Sequence, residues 1–102
     1  MTDSHDYSGI LDKLIHEPAR LSIMAVLSAC EEADFQYLLN ETGLSKGNLS
    51  SHLAKLEQSG YVMIKKGFKG KIPHTVIKLT PFGENQFNIY VKRLRRIMKK
   101  LK

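Results

Sequence analysis

The chain has 102 residues, 42% of them apolar and seven of them glycine, proportions normal for a single folded domain and wrong for a fibrous or disordered chain. No apolar run approaches the ~20 residues that span a bilayer. The N-terminus (Met-Thr-Asp-Ser-His-Asp-Tyr) is polar and acidic, unlike a secretory signal, and a single cysteine, Cys30, excludes an intrachain disulfide framework. A cytoplasmic location is expected. The formal net charge is +6, unevenly placed: residues 1–44 hold eight acidic groups against Lys13 and Arg20, a net −6, and residues 45–102 hold fourteen basic groups against Glu57 and Glu84, a net +12. Such a basic half points to a polyanionic partner, with nucleic acid ahead of an anionic membrane surface.

In chain order, Asp6 or Ser8 is placed to cap a first short helix in which Ile10, Leu11, Leu14 and Ile15 recur at helical spacing. Pro18 ends that helix, because it disfavours helical geometry in the residue before it, and suits the first turn of a second one carrying Leu21, Ile23, Met24, Val26 and Leu27. Asp34 reads as the N-cap of a third helix, Phe35 to Glu41, with Leu38 and Leu39 inward and Gly43 as its stop. Ser45 then caps a fourth helix to about Gln58, whose Leu49, Leu53 and Leu56 form one apolar stripe. Beyond Gly60 the period changes. Tyr61–Ile64 and Thr75–Leu79 read as the strands of a hairpin with a long glycine-containing tip over Lys65–Lys71. Thr80 caps a last helix with Pro81 at its first position, and Phe87, Tyr90, Leu94, Ile97 and Leu101 follow the spacing of a coiled-coil seam. The expected fold class is mainly α with a small β-hairpin.

The third and fourth helices, joined through Gly43, have the layout of a helix-turn-helix. On the fourth, the side opposite the leucines carries Gly47, Ser51, Ala54 and Gln58, flanked by Asn48, Ser50 and Lys55. No carboxylate stands there; Glu57 lies at the flank of the inner stripe. A solvated helix ordinarily mixes both signs, and a facing polyanion explains the missing acids. Small Gly47 and Ser51 let the backbone enter a groove, where Asn48 and Ser51 have the groups to hydrogen-bond base edges. The helix N-terminus at Ser45 suits a phosphate, and Lys46 and Lys55 suit phosphates better than bases. His52 falls at the boundary, either packed or in contact with the polyanion. Lys65, Lys66, Lys69 and Lys71 cluster in the hairpin tip, with no acid between Gly60 and Thr80. They either touch the polyanion or guard a strand edge against aggregation. Phe68 is expected to pack at the hairpin base.

Leu44-Ser45-Lys46-Gly47-Asn48-Leu49-Ser50-Ser51-His52-Leu53-Ala54-Lys55-Leu56-Glu57-Gln58-Ser59-Gly60-Tyr61-Val62 resembles the LSxxxLSxHLxxLExxGYV signature of winged-helix transcriptional regulators of the MarR and ArsR type. Pro18-Ala19-Arg20-Leu21-Ser22-Ile23-Met24 is similar to their PxRLxIM second helix. Lys66 to Thr75 is similar to the wing, and Leu79-Thr80-Pro81-Phe82-Gly83 to the LTxxG entry of the last helix. The resemblance covers roughly residues 8–100, and the nearest match is the short stand-alone winged-helix subfamily. It implies one winged-helix domain over residues 1–102, with the helix-turn-helix at about 34–59, the wing at about 61–79 and a C-terminal dimerisation helix at about 80–101. It further implies a homodimer on a palindromic duplex-DNA operator, regulating transcription, with the recognition helix in the major groove. The contacts carried over are Lys46, Gly47, Asn48, Ser50, Ser51, His52 and Lys55, beside Ser45 at the helix start, and Lys66, Lys69 and Lys71 from the wing. The dimer interface would be Leu11, Leu14, Phe87, Tyr90, Leu94, Ile97 and Leu101; the alternative is that the C-terminal stripe packs on Leu11 and Leu14 of its own chain.

Other chemistry is poorly supported. The cysteine pair of some ArsR-type metal sensors has no counterpart in Phe35–Asn40, and His5, His16, His52 and His74 lack ligand spacing, so no metal or other cofactor is expected. Glu31 and Glu32 beside Cys30 disfavour a reactive thiolate. Gly67-Phe68-Lys69-Gly70 matches the GxxG loop of KH-type RNA binders, but that loop joins helices and this one lies between strands. No phosphate-binding loop or nucleophile–base pair at motif spacing occurs, so binding without catalysis is expected. Membrane association is not expected. A protein-interaction module or a nonspecific RNA or chromatin binder remains the alternative, and no small-molecule effector is identified.

Overall fold

A computed structural model describes residues 10–101. The elements run α1 (Pro18–Ser28), β1 (Ala33–Asp34), α2 (Phe35–Thr42), α3 (Lys46–Gln58), β2 (Val62–Lys69), β3 (Ile72–Leu79) and α4 (Pro81–Met98). The strands form one antiparallel sheet in the order β1-β3-β2. The expected winged helix-turn-helix architecture is present, with its long C-terminal helix.

The core sits where α1, α2 and α3 meet the base of the sheet. Ile23, Met24 and Leu27 from α1, Leu38 from α2, Leu49, Leu53 and Leu56 from α3, and Val62 and Ile77 from the strands are all buried together. The leucine stripe of α3 is thus consumed entirely inside the chain's own core, which leaves its opposite side outward. Three side-chain oxygens start the helices as expected: Asp34 Oδ1 accepts from the Tyr37 N–H at 2.7 Å, Ser45 Oγ from the Asn48 N–H at 3.1 Å, and Thr80 Oγ1 from the Gly83 N–H at 2.9 Å. Gly43 closes α2 at φ 72°, a left-handed conformation that turns the chain sharply into α3. At Gly83 the requirement is space, since a Cβ there would overlap the backbone of Tyr61.

Two expectations are corrected. Residues 10–17 form turns instead of a helix. The Asp12 carboxylate accepts from the Leu14 and Ile15 N–H groups at 2.8 and 3.3 Å, so a side chain competes for donors that a helix would use, and Pro18 stops propagation. Leu11 and Ile15 are nevertheless buried, and Ile10 is exposed; the Asp6 and Ser8 caps lie outside the described residues. The hairpin is also longer and its tip tighter than expected. Pairing continues from Val62↔Leu79 out to Lys69↔Ile72, leaving only Gly70 and Lys71 as the turn. The two-residue strand β1, which pairs Ala33 with Ile77 and Asp34 with Val76, has no counterpart in the expected elements.

α4 leaves the body part-way along its length. Phe87 and Tyr90 are buried, Leu94 and Ile97 are half-buried, and Met98 is exposed at its end; the helix stops there, short of the expected 101, so exposed Leu101 lies beyond it after a turn. The chain is accordingly elongated, 57 × 26 × 23 Å. Among the described residues, no helix is long and apolar enough to cross a membrane.

Candidate nucleic-acid interface

The outward side of α3 collects the residues expected to read a groove. Ser45, Lys46, Gly47, Asn48, Ser50, Ser51, Ala54 and Lys55 are all exposed, and the three leucines behind them are not. Because the stripe is locked into the core, the rotation of α3 about its axis is set, and so is the direction in which Asn48 and Ser51 face. The first-turn N–H groups point out at Ser45, where the hydroxyl occupies the Asn48 donor and the rest of the positive helix end stays open.

His52 has an intramolecular role. Its Nδ1 lies 3.1 Å from Arg20 Nη1. Arg20 also donates from Nε to the Leu14 carbonyl. Glu17 completes the group: its Oε1 caps α1 by accepting from the Arg20 N–H at 2.8 Å and stands 4.0 Å from His52 Nδ1. That N–H donor, with the charges of His52 and Arg20 behind it, holds the Glu17 carboxyl below its ordinary pKa. His52 therefore ties α3 to α1 and, through Arg20, to the turn at Leu14. Arg20, absent from the expected contact set, is the residue that does the tying; its partner is remote in sequence, so only the resemblance of residues 18–24 to the family hinted at it.

The hairpin stands beside α3 across a groove of about 700 Å³, walled by Ser50, Ala54 and Glu57 on one side and Ile64, Lys66 and Thr75 on the other. Lys65, Lys66, Lys69 and Lys71 are exposed, as are Lys46 and Lys55. Among the described residues, none of these lysines stands within ion-pair distance of a carboxylate, although Lys69 is one of the charges acting on Asp34 and Glu57 lines the same groove as Lys66. His74 Nε2, on β3, lies 3.4 Å from Asp34 Oδ2 and links the hairpin to the start of α2. The Tyr37 N–H, then His74, holds the Asp34 carboxyl below its ordinary pKa. Phe68 departs from expectation: it does not pack at the hairpin base but stands 75% exposed near the tip. The ladder continues past it, carrying it beyond the reach of the core.

The expected dimer residues divide into two sets. Leu11, Phe87 and Tyr90 are covered by their own protomer, and the Tyr90 hydroxyl meets His16 Nδ1 at 2.8 Å. Burial raises the Tyr90 phenol pKa, and burial together with the Asp12 hydrogen bond pushes Tyr61 up to about 12. These two tyrosines pin α4 and the base of β2 to the 10–17 segment. Leu14, Leu94 and Ile97 are half-covered, and Leu101 is 73% exposed. Among the described residues, no cluster of three or more His, Cys, Asp or Glu side chains is arranged to hold a metal ion.

The family described as winged helix DNA-binding domain matches residues 19–98 of this chain. An uncharacterized protein of Methanocaldococcus jannaschii is 36% identical over 90 residues, which cover 87% of this chain and 97% of that protein. The solved structure of a transcriptional regulator homologue from Pyrococcus horikoshii OT3 superposes with a TM-score of 0.82 at 30% identity, over 87% of this chain and 88% of the other. A chain described as a transcriptional regulator of the MarR family, from Enterococcus faecalis V583, superposes with a TM-score of 0.75 at 20% identity, over 98% of this chain and 89% of the other, a likeness of fold alone.

Proposed function

Because the chain belongs to the family of winged-helix DNA-binding transcriptional regulators, we propose that it binds specific duplex-DNA sites as a homodimer in the cytoplasm and acts by binding, without catalysis. One observation carries this reading: the outward side of α3 is exposed from Ser45 to Lys55, small or cationic, and free of carboxylates. An α-helix fits the major groove, and Gly47 and Ser51 keep its surface low enough for the backbone to approach the bases. Asn48, Ser50 and Ser51 take the base edges. Ser45, Lys46 and Lys55 take phosphates and set the register, and Lys66, Lys69 and Lys71 hold the flanking backbone from the hairpin. His52 serves by positioning α3 through Arg20.

The dimer face in this reading is the free half of α4. Phe87 and Tyr90 hold the helix to its own body, and Leu94, Ile97 and Leu101 meet the same residues of a second copy, with Leu14 beside them. A two-fold dimer reads a palindrome whose half-sites lie about one helical turn apart.

The test is a duplex selected by the protein from a random-sequence pool, titrated with wild type and Ser51→Glu. A carboxylate facing phosphates and base acceptors costs several kcal/mol, so binding should weaken by more than about a hundredfold with the fold unchanged. Unaltered affinity for the selected duplex would move the recognition surface off α3.

A further inference from the structure

We propose that the hairpin tip is an apolar wedge: Phe68 inserts at a base step of the minor groove flanking the α3 site and kinks the duplex there. The inference rests on the DNA-binding reading above and adds to it a deformation of the DNA and the residue that causes it.

Strand alternation places Phe68 on the same face of β2 as Val62, Ile64 and Lys66. Val62 is buried, Ile64 and Lys66 wall the groove against α3, and Phe68 continues the row about 13 Å beyond Ile64. Its cross-strand neighbour is Pro73, and the next pair outward is Lys69 with Ile72. Phe68 and Ile72 are 75% and 70% exposed, so two large apolar side chains stand at the tip with nothing of the protomer over them. Among the described residues, Phe68 takes part in neither the core nor any aromatic pair.

The surroundings select the occupant. Lys66 shares the face of the ring, Lys65 and Lys69 lie on the other face of the same strand and Lys71 in the turn, all exposed, and no acid lies between Gly60 and Thr80. Cations on both faces of a narrow tip that carries an apolar ring match a minor groove, where phosphates line both edges and stacked bases form the floor, and phenylalanine is among the side chains that unstack such steps. A wedge must also be stiff. The ladder is paired to Lys69↔Ile72 and closed by a two-residue turn with Gly70 at φ 68°, so the tip is a continuation of the sheet and not a loose loop.

The experiment uses the full chain and the selected duplex with donor and acceptor dyes at its ends, read by energy transfer, with permanganate footprinting of unstacked thymines. Wild type should shorten the end-to-end distance, as expected for a kink of roughly 20–90°, and create a reactive thymine in the flank. Phe68→Ala should bind with both signals lost, while the dependence of affinity on salt stays that of wild type, because that slope counts phosphate contacts and not apolar ones. Phe68→Leu should retain part of the bend. Phe68 is exposed, so neither variant threatens the fold. A wild-type complex with straight DNA, or a Phe68→Ala complex bent like wild type, would overturn the wedge and leave DNA binding standing. A Phe68→Ala variant that loses binding to phosphatidylserine vesicles while bending DNA normally would reassign the tip to a membrane surface. Wild type that binds no duplex at all would remove the underlying reading together with the wedge.

Discussion

The outward side of α3 and the free end of α4 are both basic and both exposed, yet their apolar residues are covered to different extents. On α3, Lys46 and Lys55 stand among Gly47, Asn48, Ser50, Ser51 and Ala54, and every leucine of the helix is buried in the protomer. On α4 and the turn that follows it, beyond Tyr90, Lys92, Arg93, Arg95, Arg96, Lys99 and Lys100 alternate with Leu94 and Ile97, which are half-covered, and with exposed Met98 and Leu101. Part of that charge is already engaged, since Arg93 Nη1 donates to the Ile10 carbonyl at 3.0 Å. A helix whose apolar stripe is fully covered has no further need of apolar contact and is free to enter a polar groove. A helix whose stripe is only half-covered still gains by meeting another apolar surface. Positive charge alone therefore does not mark the DNA face; the state of the apolar residues between the charges does.

Replacing Leu94 by lysine makes the free end of α4 resemble α3, and this should have the largest effect on the contrast. Leu94→Lys should halve the mass measured by light scattering while leaving the circular dichroism of the protomer intact; an unchanged mass would place the dimer contact elsewhere. On the other side of the contrast, Ser45→Ala removes the N-cap of α3 and should lower stability by about 1 kcal/mol in urea unfolding. Its effect on DNA affinity should exceed its effect on the fold, because in the proposed complex the same helix end faces a phosphate. A smaller effect lies at acid pH. Glu17 and Asp34, which orient α3 and the hairpin through His52 and His74, have lowered carboxyl pKa values, so their contribution is fully present above the ordinary carboxylate range and is lost as pH falls below about 4. Glu17→Gln and Asp34→Asn should each flatten that acid limb of the melting-temperature curve; an unaltered limb would show that these caps do not couple to folding.

What was legible in the chain was whatever depends on near neighbours. Asp34, Ser45 and Thr80 cap helices through N–H groups three residues away, and the leucines of α3 declare their face by spacing alone. What was not legible depends on distant partners. β1 is two residues long and exists because Ile77 and Val76 pair with it. The outer part of β2, Lys65–Lys69, has no apolar alternation, only lysine, glycine and one phenylalanine, and its pairing is supplied by the facing strand. His52 was ambiguous until Arg20, 32 positions away, was placed on its ring nitrogen. The turns at residues 10–17 mislead because Leu11 and Ile15 are buried at helical spacing while the Asp12 carboxylate takes the N–H groups that a helix would need.

The central claim, that α3 and the hairpin together form a DNA surface, is tested most directly by titrating the protein against its own upstream region and a random duplex across a salt series. Five lysines on phosphates in each protomer (Lys46, Lys55, Lys66, Lys69 and Lys71) imply that log affinity falls with log salt with a slope of about −4 to −5 per protomer, and that the specific duplex retains its advantage throughout. Binding to neither duplex at low salt would contradict the account.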